Sequence, residues 1–141
     1  MILLDSDHLS VLRYRASSRA VRLSERLDAA AAEHLIGTTV VNVEESMRGW
    51  MASIAKERAL LRQIGPYREL AELFDFYSSL AIAPFDEAAV ARLQTYSRVK
   101  IGISDRKIAA ISVTQGALLL TANRRDFEQI PGLRFENWLD G

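Results

Sequence analysis

The chain opens with Met1-Ile2-Leu3-Leu4-Asp5, a short apolar run that stops abruptly at an acid. A run of this length and composition is typical of a strand that is buried on both faces in a parallel sheet. Asp5 would then be the residue at which the strand emerges at the edge of the sheet. The pattern therefore predicts a buried strand over residues 1–4, with the Asp5 carboxylate at its carboxyl end.

Strand-like and helical patterns alternate along the rest of the chain. Amphipathic helical segments, one of them beginning near Val43, separate further strand-like runs at residues 35–41, 80–83, 117–120 and 134–136. Strands separated by helices imply parallel pairing with right-handed crossovers. The sequence therefore predicts a single α/β domain over residues 1–141, with a central, mostly parallel sheet flanked by helices on both faces.

Local signals place several helix boundaries. Gly65-Pro66 is expected to break the chain before an amphipathic helix over residues 70–77. Asp86 and Ser104 are expected to cap the next two helices, and Gly116 is expected to end the second of them.

Composition excludes several classes of protein. The 141 residues contain 18 Lys and Arg against 18 Asp and Glu, so a uniformly basic surface is excluded. The absence of cysteine excludes disulfides, zinc–thiolate sites and thiol nucleophiles. The longest apolar runs, such as residues 116–121, are far shorter than the roughly 18–20 residues that cross a bilayer. We therefore expect a soluble, cytoplasmic protein that does not associate with a membrane.

Acidic residues concentrate at the predicted carboxyl ends of the strands, where parallel α/β sheets bind their ligands. The acids come from four segments and lie near two polar residues, Thr121 and Asn123: they are Asp5, Asp7, Glu44, Glu45, Asp105 and Asp126. Helix capping alone explains an acid in the first turn of a helix. Four or five converging carboxylates instead repel one another, and a divalent cation would compensate that repulsion. Oxygen ligands without cysteine select Mg²⁺ or Mn²⁺, and such an ion favours phosphodiester hydrolysis.

Three other polar residues at this edge have two interpretations each. Thr121 and Asn123 either orient a water molecule or a carboxylate, or serve as turn residues. His8 is more typical of a hydrogen-bonding group near the site than of a ligand or a catalytic base.

Several stretches in this order and spacing resemble PIN-domain ribonucleases, most closely the VapC-type toxins of bacterial toxin–antitoxin pairs. The stretches are M-I-L-L-D-S-D-H-L at residues 1–9, T-V-V-N-V-E-E-S-M-R-G at 39–49, D-R-K-I-A-A at 105–110 and G-A-L-L-L-T-A-N-R-R-D-F-E-Q-I-P-G-L-R-F-E-N-W at 116–138. The last stretch, with T-x-N-x-x-D-F followed by I-P-G-L, is the most specific.

The resemblance assigns roles residue by residue. It matches the four family acids to Asp5, Glu45, Asp105 and Asp126, and the family's hydroxyl near the metal to Thr121. The family usually has D-T-N where this chain has Asp5-Ser6-Asp7, and often Thr where this chain has Asn42. Whether Asp7 adds a ligand is left open. Glu44 would point about 100° away from Glu45 on a helix, so Glu45 is retained as the matching acid.

The function that the resemblance implies is a Mg²⁺- or Mn²⁺-dependent endoribonuclease toxin that cleaves structured RNA such as tRNA or rRNA. It also implies a homodimer that a VapB-type antitoxin holds inactive. Zero net charge fits an enzyme that contacts a folded RNA through a few arginines. The arginines close in sequence to the acidic edge are Arg13, Arg15, Arg48, Arg124 and Arg125.

Two alternatives remain. Asp5-Ser6-Asp7 is also similar to the start of haloacid-dehalogenase-like phosphatases, in which the first Asp is the nucleophile and the second the general acid. Here His8-Leu9 follows the second acid and Asp126 stands unpaired, which disfavours that class. The other alternative is a catalytically silent PIN module that only binds a partner, although such a module would have little reason to keep its like charges crowded.

Overall fold

The computed structural model describes residues 1–14 and 17–140, which contain five strands and seven helices. The strands are β1 (Ile2–Leu4), β2 (Ile36–Thr39), β3 (Ala81–Ala83), β4 (Leu118–Leu120) and β5 (Arg134–Glu136). The helices are α1 (Ser6–Arg13), α2 (Ser18–Ala30), α3 (Val40–Lys56), α4 (Leu60–Ser78), α5 (Glu87–Gln94), α6 (Ile103–Thr114) and α7 (Arg124–Phe127). In this part of the chain no helix has both the length and the apolar character of a membrane span.

The five strands form one sheet in which every neighbouring pair is parallel, in the order β3-β2-β1-β4-β5. Leu4 of β1 lies beside Thr38 of β2 on one side and Leu120 of β4 on the other. Because the strands are parallel and the register aligns their carboxyl ends to within one residue, the chain leaves all three strands at the same edge. The predicted parallel α/β fold is confirmed, and the strand that opens the sequence lies at the centre of the sheet.

Helices cover both faces of the sheet, as predicted. Leu3 belongs to one buried cluster, together with Ile108 of α6. Ile2 and Leu4 belong to a second cluster, together with Leu23 of α2. Successive side chains of a strand point to opposite faces, so the three residues of β1 contribute to both cores.

The boundary between β2 and α3 differs from the prediction. A strand over residues 35–41 and a helix from Val43 were expected, whereas β2 ends at Thr39 and α3 begins at Val40. The Thr39 hydroxyl caps α3, because it accepts a hydrogen bond from the Asn42 N–H at 3.2 Å. The cap turns two β-branched residues, which the apolar pattern assigned to the strand, into the first turn of the helix.

The predicted break at Gly65-Pro66 is wrong, because α4 runs through it without interruption. Proline removes one helical hydrogen bond and clashes with the preceding residue. Gly65 has no Cβ to make that clash, and the carbonyl of Arg62, which loses its donor, lies on an exposed residue. The helical pattern predicted over residues 70–77 lies in the second half of the same helix.

Two of the three remaining boundary predictions are confirmed. The Asp86 carboxylate caps α5 by accepting from the Ala89 N–H at 3.0 Å. Gly116 follows the end of α6 with a φ of +62°, the left-handed conformation that favours glycine. Ser104 does not cap α6, which begins one residue earlier after Gly102, whose carbonyl accepts the Arg106 N–H at 3.0 Å.

Gly37 makes the closest approach between two strands of the sheet. A Cβ at Gly37 would lie 2.2 Å from the carbonyl oxygen of Ala81 on β3. We expect Gly37→Ala to lower the free energy of unfolding by about 1–3 kcal/mol, because β3 must move away. Urea denaturation followed by circular dichroism measures the change.

Gly49→Ala is the matched control, because Gly49 lies inside α3 with nothing within 4 Å of its would-be Cβ. This change should raise the unfolding free energy by up to about 1 kcal/mol. Equal stabilities of the two variants would contradict the close approach at Gly37.

Candidate active site

Asp5 lies at the centre of the site, directly after the central strand. Its carboxylate accepts hydrogen bonds from the Ser6 N–H at 2.9 Å, from Asn42 Nδ2 at 2.9 Å and from Thr121 Oγ1 at 2.8 Å. The residue is only 7% exposed. Burial raises the pKa of Asp5, as does the nearby charge of Asp7, and the three hydrogen bonds oppose the rise. Both carboxylate oxygens are therefore held in place by groups from three different segments.

Asn42 is the site residue that the sequence reasoning undervalued. It is fully buried, accepts a hydrogen bond from Thr39 Oγ1 at 2.7 Å and donates to both Asp5 and Ser6. The resemblance treated it only as a departure from the family's Thr. The signal that was available is its position three residues after Thr39, which places its side chain on the first turn of α3, beside the end of the central strand.

Three further acids surround Asp5 from three helices. Burial raises the pKa of Glu45 on α3, and the negative charges of Asp5 and Asp105 raise it further. The pKa of Asp105 on α6 rises to about 6, first through burial and then through the charges of Asp5, Asp126 and Asp7. Among the described residues, neither Glu45 nor Asp105 has a hydrogen bond or ion pair through its carboxylate. The four acids matched by the resemblance thus form one electrostatic cluster.

The Glu44 side chain turns away from Asp5, although its charge adds to the rise in the pKa of Glu45. Its carboxylate pairs with Arg48 one turn further along α3, and it borders an apolar face that includes Val40 and Met47. The structure thus separates the two neighbouring acids as the 100° helical step predicts.

The cluster is wider than the ligand shell of a single ion. Within residues 1–14 and 17–140, no three His, Asp or Glu side chains lie close enough together to hold a metal as they stand. The donor chemistry nevertheless fits a hard cation, because the four clustered acids offer carboxylate oxygens, and burial and then neighbouring negative charges raise the pKa of Glu45 and Asp105. The carboxylates of Glu45 and Asp105 can turn toward such an ion without losing another partner.

Asp7 and Asn123 hold the turn that follows β4. Asp7 accepts hydrogen bonds from the ring of His8 at 2.6 Å and from the Ala122 N–H at 2.8 Å. Burial would raise the pKa of Asp7, but hydrogen bonds from the His8 ring and the Ala122 N–H, together with the charge and the backbone N–H of His8, lower it. Asn123 caps α7 and donates to the Asp126 carboxylate at 3.1 Å. Both oxygens of Asp7 are thus engaged, whereas Asn123 orients one of the four clustered acids.

The arginines near the site differ in whether their guanidinium groups are exposed and able to contact a phosphate. Arg13 is 12% exposed and donates to the Glu69 carboxylate at 2.6 Å, so its guanidinium joins α1 to α4. Arg48 and Arg124 are 75% and 84% exposed, and each is paired with a glutamate four residues away in the sequence. Arg125 is exposed and its guanidinium has no partner among the described residues. Arg15, the fifth arginine of the prediction, lies outside the described residues.

A groove of about 310 Å³ opens beside the cluster, between α1, α3 and α4. Glu45 and Ser6 lie at its end nearest Asp5, and Trp50 and Phe76 are among its apolar lining. The site therefore continues into a partly apolar surface on one side.

An all-parallel α/β sheet with an acidic cluster at its carboxyl edge defines the class of α/β folds that bind their ligands at the carboxyl ends of the strands. The model of one family in that class, the PIN domain, matches residues 2–133. The chain belongs to the PIN-domain family. The predicted family membership is confirmed.

Known relatives bear VapC names. The chain is 32% identical over 83 residues to the tRNA(fMet)-specific endonuclease VapC of Salmonella typhimurium, and the match covers 55% of this chain and 63% of that protein. It is also 32% identical over 83 residues to Ribonuclease VapC2 of Haemophilus influenzae, covering 52% of this chain and 61% of that one. The matched region thus spans about three-fifths of the length of these relatives.

Solved structures share the fold over nearly the whole chain. The DNA-bound VapBC complex of Salmonella typhimurium superposes with a TM-score of 0.74 at 24% identity, covering 97% of each chain. VapBC-1 of nontypeable Haemophilus influenzae gives 0.78 at 16% identity, covering 98% of each. The fold therefore extends through β5, beyond the last residue of the family match.

The phosphatase alternative does not fit this site. A haloacid-dehalogenase-like reaction would use Asp7 as the general acid, which requires a proton on its carboxyl group. Hydrogen bonds from His8 and Ala122 lower the pKa of Asp7 and occupy both of its oxygens. This arrangement and the family membership exclude the phosphatase interpretation.

The raised pKa of Asp105 predicts a dependence of stability on pH. The Asp105 carboxyl group binds its proton more tightly in the folded state than in the unfolded state. Its protonation therefore stabilises the fold fully below pH 3.8, the usual pKa, and this stabilisation is lost as the pH rises through about 6. Asp105→Asn should therefore raise the unfolding free energy at about pH 8, by of order 1 kcal/mol because the carboxylate is partly solvated. Near pH 3.5 the difference should nearly vanish.

Chemical denaturation across this pH range measures both stabilities. Asp28→Asn, at an exposed acid on α2, is the control. A variant of Asp105 that is less stable than the wild type at about pH 8 would contradict charge repulsion at the site.

Proposed function

We propose that this protein is an endoribonuclease toxin of the VapC type that depends on Mg²⁺ or Mn²⁺. The observation that carries the proposal is the crowding of Glu45, Asp105 and Asp126 around the buried carboxylate of Asp5. Burial and mutual repulsion raise the pKa of Glu45 and Asp105, so their charges destabilise the fold and the arrangement favours a function that needs them. We treat residues 1–141 as one catalytic domain.

The four clustered acids are the proposed ligands: Asp5, Glu45, Asp105 and Asp126. When bound, a divalent ion supplies the positive charge that activates a water molecule and stabilises the negative charge developing on a phosphodiester. We leave Asp7 out of the ligand set, because the resemblance matches no family acid to it and its carboxylate holds His8 and the turn after β4.

The remaining residues of the site position the acids and the RNA. Asn42 and Thr121 each donate to one oxygen of Asp5 and hold the carboxylate in one orientation, and Asn123 donates to one oxygen of Asp126. Arg125 is the first choice for a phosphate contact because its guanidinium is exposed and unpaired among the described residues. Arg48 and Arg124 can exchange their exposed glutamate partners for phosphate at little cost, since exposed ion pairs are weak.

The proposed substrate is a structured RNA, a tRNA or an rRNA. The similar Salmonella protein is named for its action on tRNA(fMet), which supports this class. The balance of 18 basic and 18 acidic residues also favours recognition of a particular folded RNA over general attraction to polyanions.

Two protein partners belong to the same proposal. The similar solved structures are VapBC complexes, which supports a VapB-type antitoxin that covers the site. A homodimer needs an apolar face, and α3 offers one along Val40, Val43, Met47 and Met51. We place this activity in the cytoplasm, where its RNA substrates are.

Replacement of the central carboxylate tests the activity. We expect purified wild-type protein to cleave total RNA in the presence of Mn²⁺ and Asp5→Asn to lose about 100-fold or more of that activity, because the amide removes the charge at the centre of the cluster. Sequencing of the new 5′ ends measures cleavage and locates the preferred RNA. Asp28→Asn should cleave like the wild type, since that acid is exposed on α2.

Equal cleavage by the wild type and Asp5→Asn, or cleavage that survives EDTA, would refute the mechanism. No cleavage of any cellular RNA by either protein would instead favour the catalytically silent PIN module.

Thermal unfolding tests the cation directly. Mg²⁺ should raise the melting temperature of the wild type, and a hundredfold excess over Kd corresponds to about 2.7 kcal/mol of added stability. Asp105→Asn should show a smaller rise, because one ligand and one of the repelling charges are gone. NaCl at equal ionic strength is the control for screening. An identical rise with NaCl would mean that no ion binds at the cluster.

A further inference from the structure

His8 is a fully buried histidine with a partner on each ring nitrogen. Its Nδ1 lies 2.6 Å from Asp7 Oδ1. Its Nε2 accepts a hydrogen bond from the backbone N–H of Trp138 at 3.1 Å. The imidazole thus connects the start of α1 to a segment that follows β5, 130 residues further along the chain.

The two partners determine where the ring proton sits. A backbone N–H is always a donor, so Nε2 must offer its lone pair to Trp138. The proton is therefore on Nδ1, from which it is donated to the Asp7 carboxylate. Asp7 accepts this proton through one carboxylate oxygen, so Asp7 and the Trp138 N–H both favour the tautomer of His8 with its proton on Nδ1.

The second oxygen of Asp7 extends the connection to Asp5. It accepts the Ala122 N–H at 2.8 Å and lies 3.4 Å from Thr121 Oγ1. The Thr121 hydroxyl has one proton and donates it over the shorter distance, 2.8 Å, to Asp5 Oδ2. Asp7 thereby holds the turn after β4 in the position from which Thr121 orients Asp5.

The segment after β5 (residues 137–140) is also bound to α2. Arg19 Nε donates to the Leu139 carbonyl at 3.3 Å, and the Leu139 side chain is buried in the same apolar cluster as β1. The guanidinium of Arg26 lies 4.0 Å from the ring centroid of Trp138. His8 is thus the polar contact between this anchored segment and the acidic edge of the sheet.

We propose that Asp7 and His8 act as a pair of positioning residues that align Thr121 and Asp5 and bind the segment after β5. The expected effect on kcat rests on the proposed nuclease function, whereas the expected hydrogen bonds and ring tautomer do not. The pair contacts neither the RNA nor a cation, and it acts through the backbone at Ala122 and the hydroxyl of Thr121.

Asp7→Asn creates a conflict between hydrogen-bond donors, which would not arise if Asp7 only filled space. If the new side-chain amide accepts from Ala122 through its oxygen, its nitrogen faces Nδ1 of His8 as a donor. Nδ1 must then give up its proton, and a proton on Nε2 would face the Trp138 N–H. One of the two hydrogen bonds of His8 is therefore lost in Asp7→Asn.

Two amide replacements of His8 separate the two halves of the pair. In His8→Asn the side-chain nitrogen takes the place of Nδ1 and keeps the bond to Asp7, but nothing reaches Trp138. In His8→Gln the longer amide takes the place of Nε2 and accepts from Trp138, but it leaves Asp7 without its donor. His34→Gln is the matched control, because His34 is an exposed histidine before β2, at the opposite end of the strands.

The experiment uses the full chain and combines three measurements. Nitrogen-15 NMR should show a protonated Nδ1 and an unprotonated Nε2 for His8 in the wild type, and a changed pattern in Asp7→Asn. Exchange of the Trp138 amide proton should be about tenfold faster in His8→Asn and close to wild type in His8→Gln. In RNA cleavage, kcat should fall about tenfold in His8→Gln and less than about threefold in His8→Asn, with KM little changed.

Each result supports or overturns the proposal. A proton on Nε2 of His8 in the wild type overturns it, and so does an equal loss of kcat in the two His8 variants. If the wild type proves to have no ribonuclease activity, the proposed function fails, while the NMR and exchange measurements still decide whether the pair holds the segment. Circular dichroism spectra and melting curves establish that each variant is folded before it is scored.

Discussion

The burial of the Asp5 carboxylate is the constraint on which the rest of the site depends. A carboxylate at the end of a central strand is costly unless several donors surround it. Three segments supply those donors, through the Ser6 N–H, Asn42 and Thr121. The parallel register that aligns the ends of β1, β2 and β4 places all three within hydrogen-bonding distance.

The other acids add charge that these donors do not neutralise. The carboxylates of Glu45 and Asp105 have no hydrogen-bonding partner among the described residues, and burial and then the charges of their neighbours raise their pKa values. A protein under selection for stability alone would replace at least one of them. Their presence together is the physical reason to assign the site a cation and a reaction, since a stable fold does not require them.

Asp7 and Asp105 lie in one small region, but their pKa values shift in opposite directions. Both are partly buried, and both are coupled to Asp5: the charge of Asp7 raises the pKa of Asp5, and the charge of Asp5 raises the pKa of Asp105. Hydrogen bonds from His8 and Ala122 lower the pKa of Asp7, whereas Asp105 has no donor and its pKa rises to about 6. The first acid is thereby committed to holding the β4 turn, and the second stays available to a positively charged ligand.

The sequence by itself determined the alternation of elements, because hydrophobic periodicity and caps such as Asp86 are local properties. It also indicated which acids gather at one edge, because parallel strands have all their carboxyl ends on the same side. It failed at Gly65-Pro66 and at the start of α3, where a missing Cβ and a threonine cap outweighed the usual signals.

Only the tertiary structure decided what each polar side chain does. Asn42 orients Asp5, Arg13 joins two helices, and His8 binds a backbone amide 130 residues away. The sequence places Asn42 on the first turn of a helix but does not name these partners, because each hydrogen bond joins segments that folding alone brings together. Distance in space, rather than position in the sequence, determines the partners of a buried polar group.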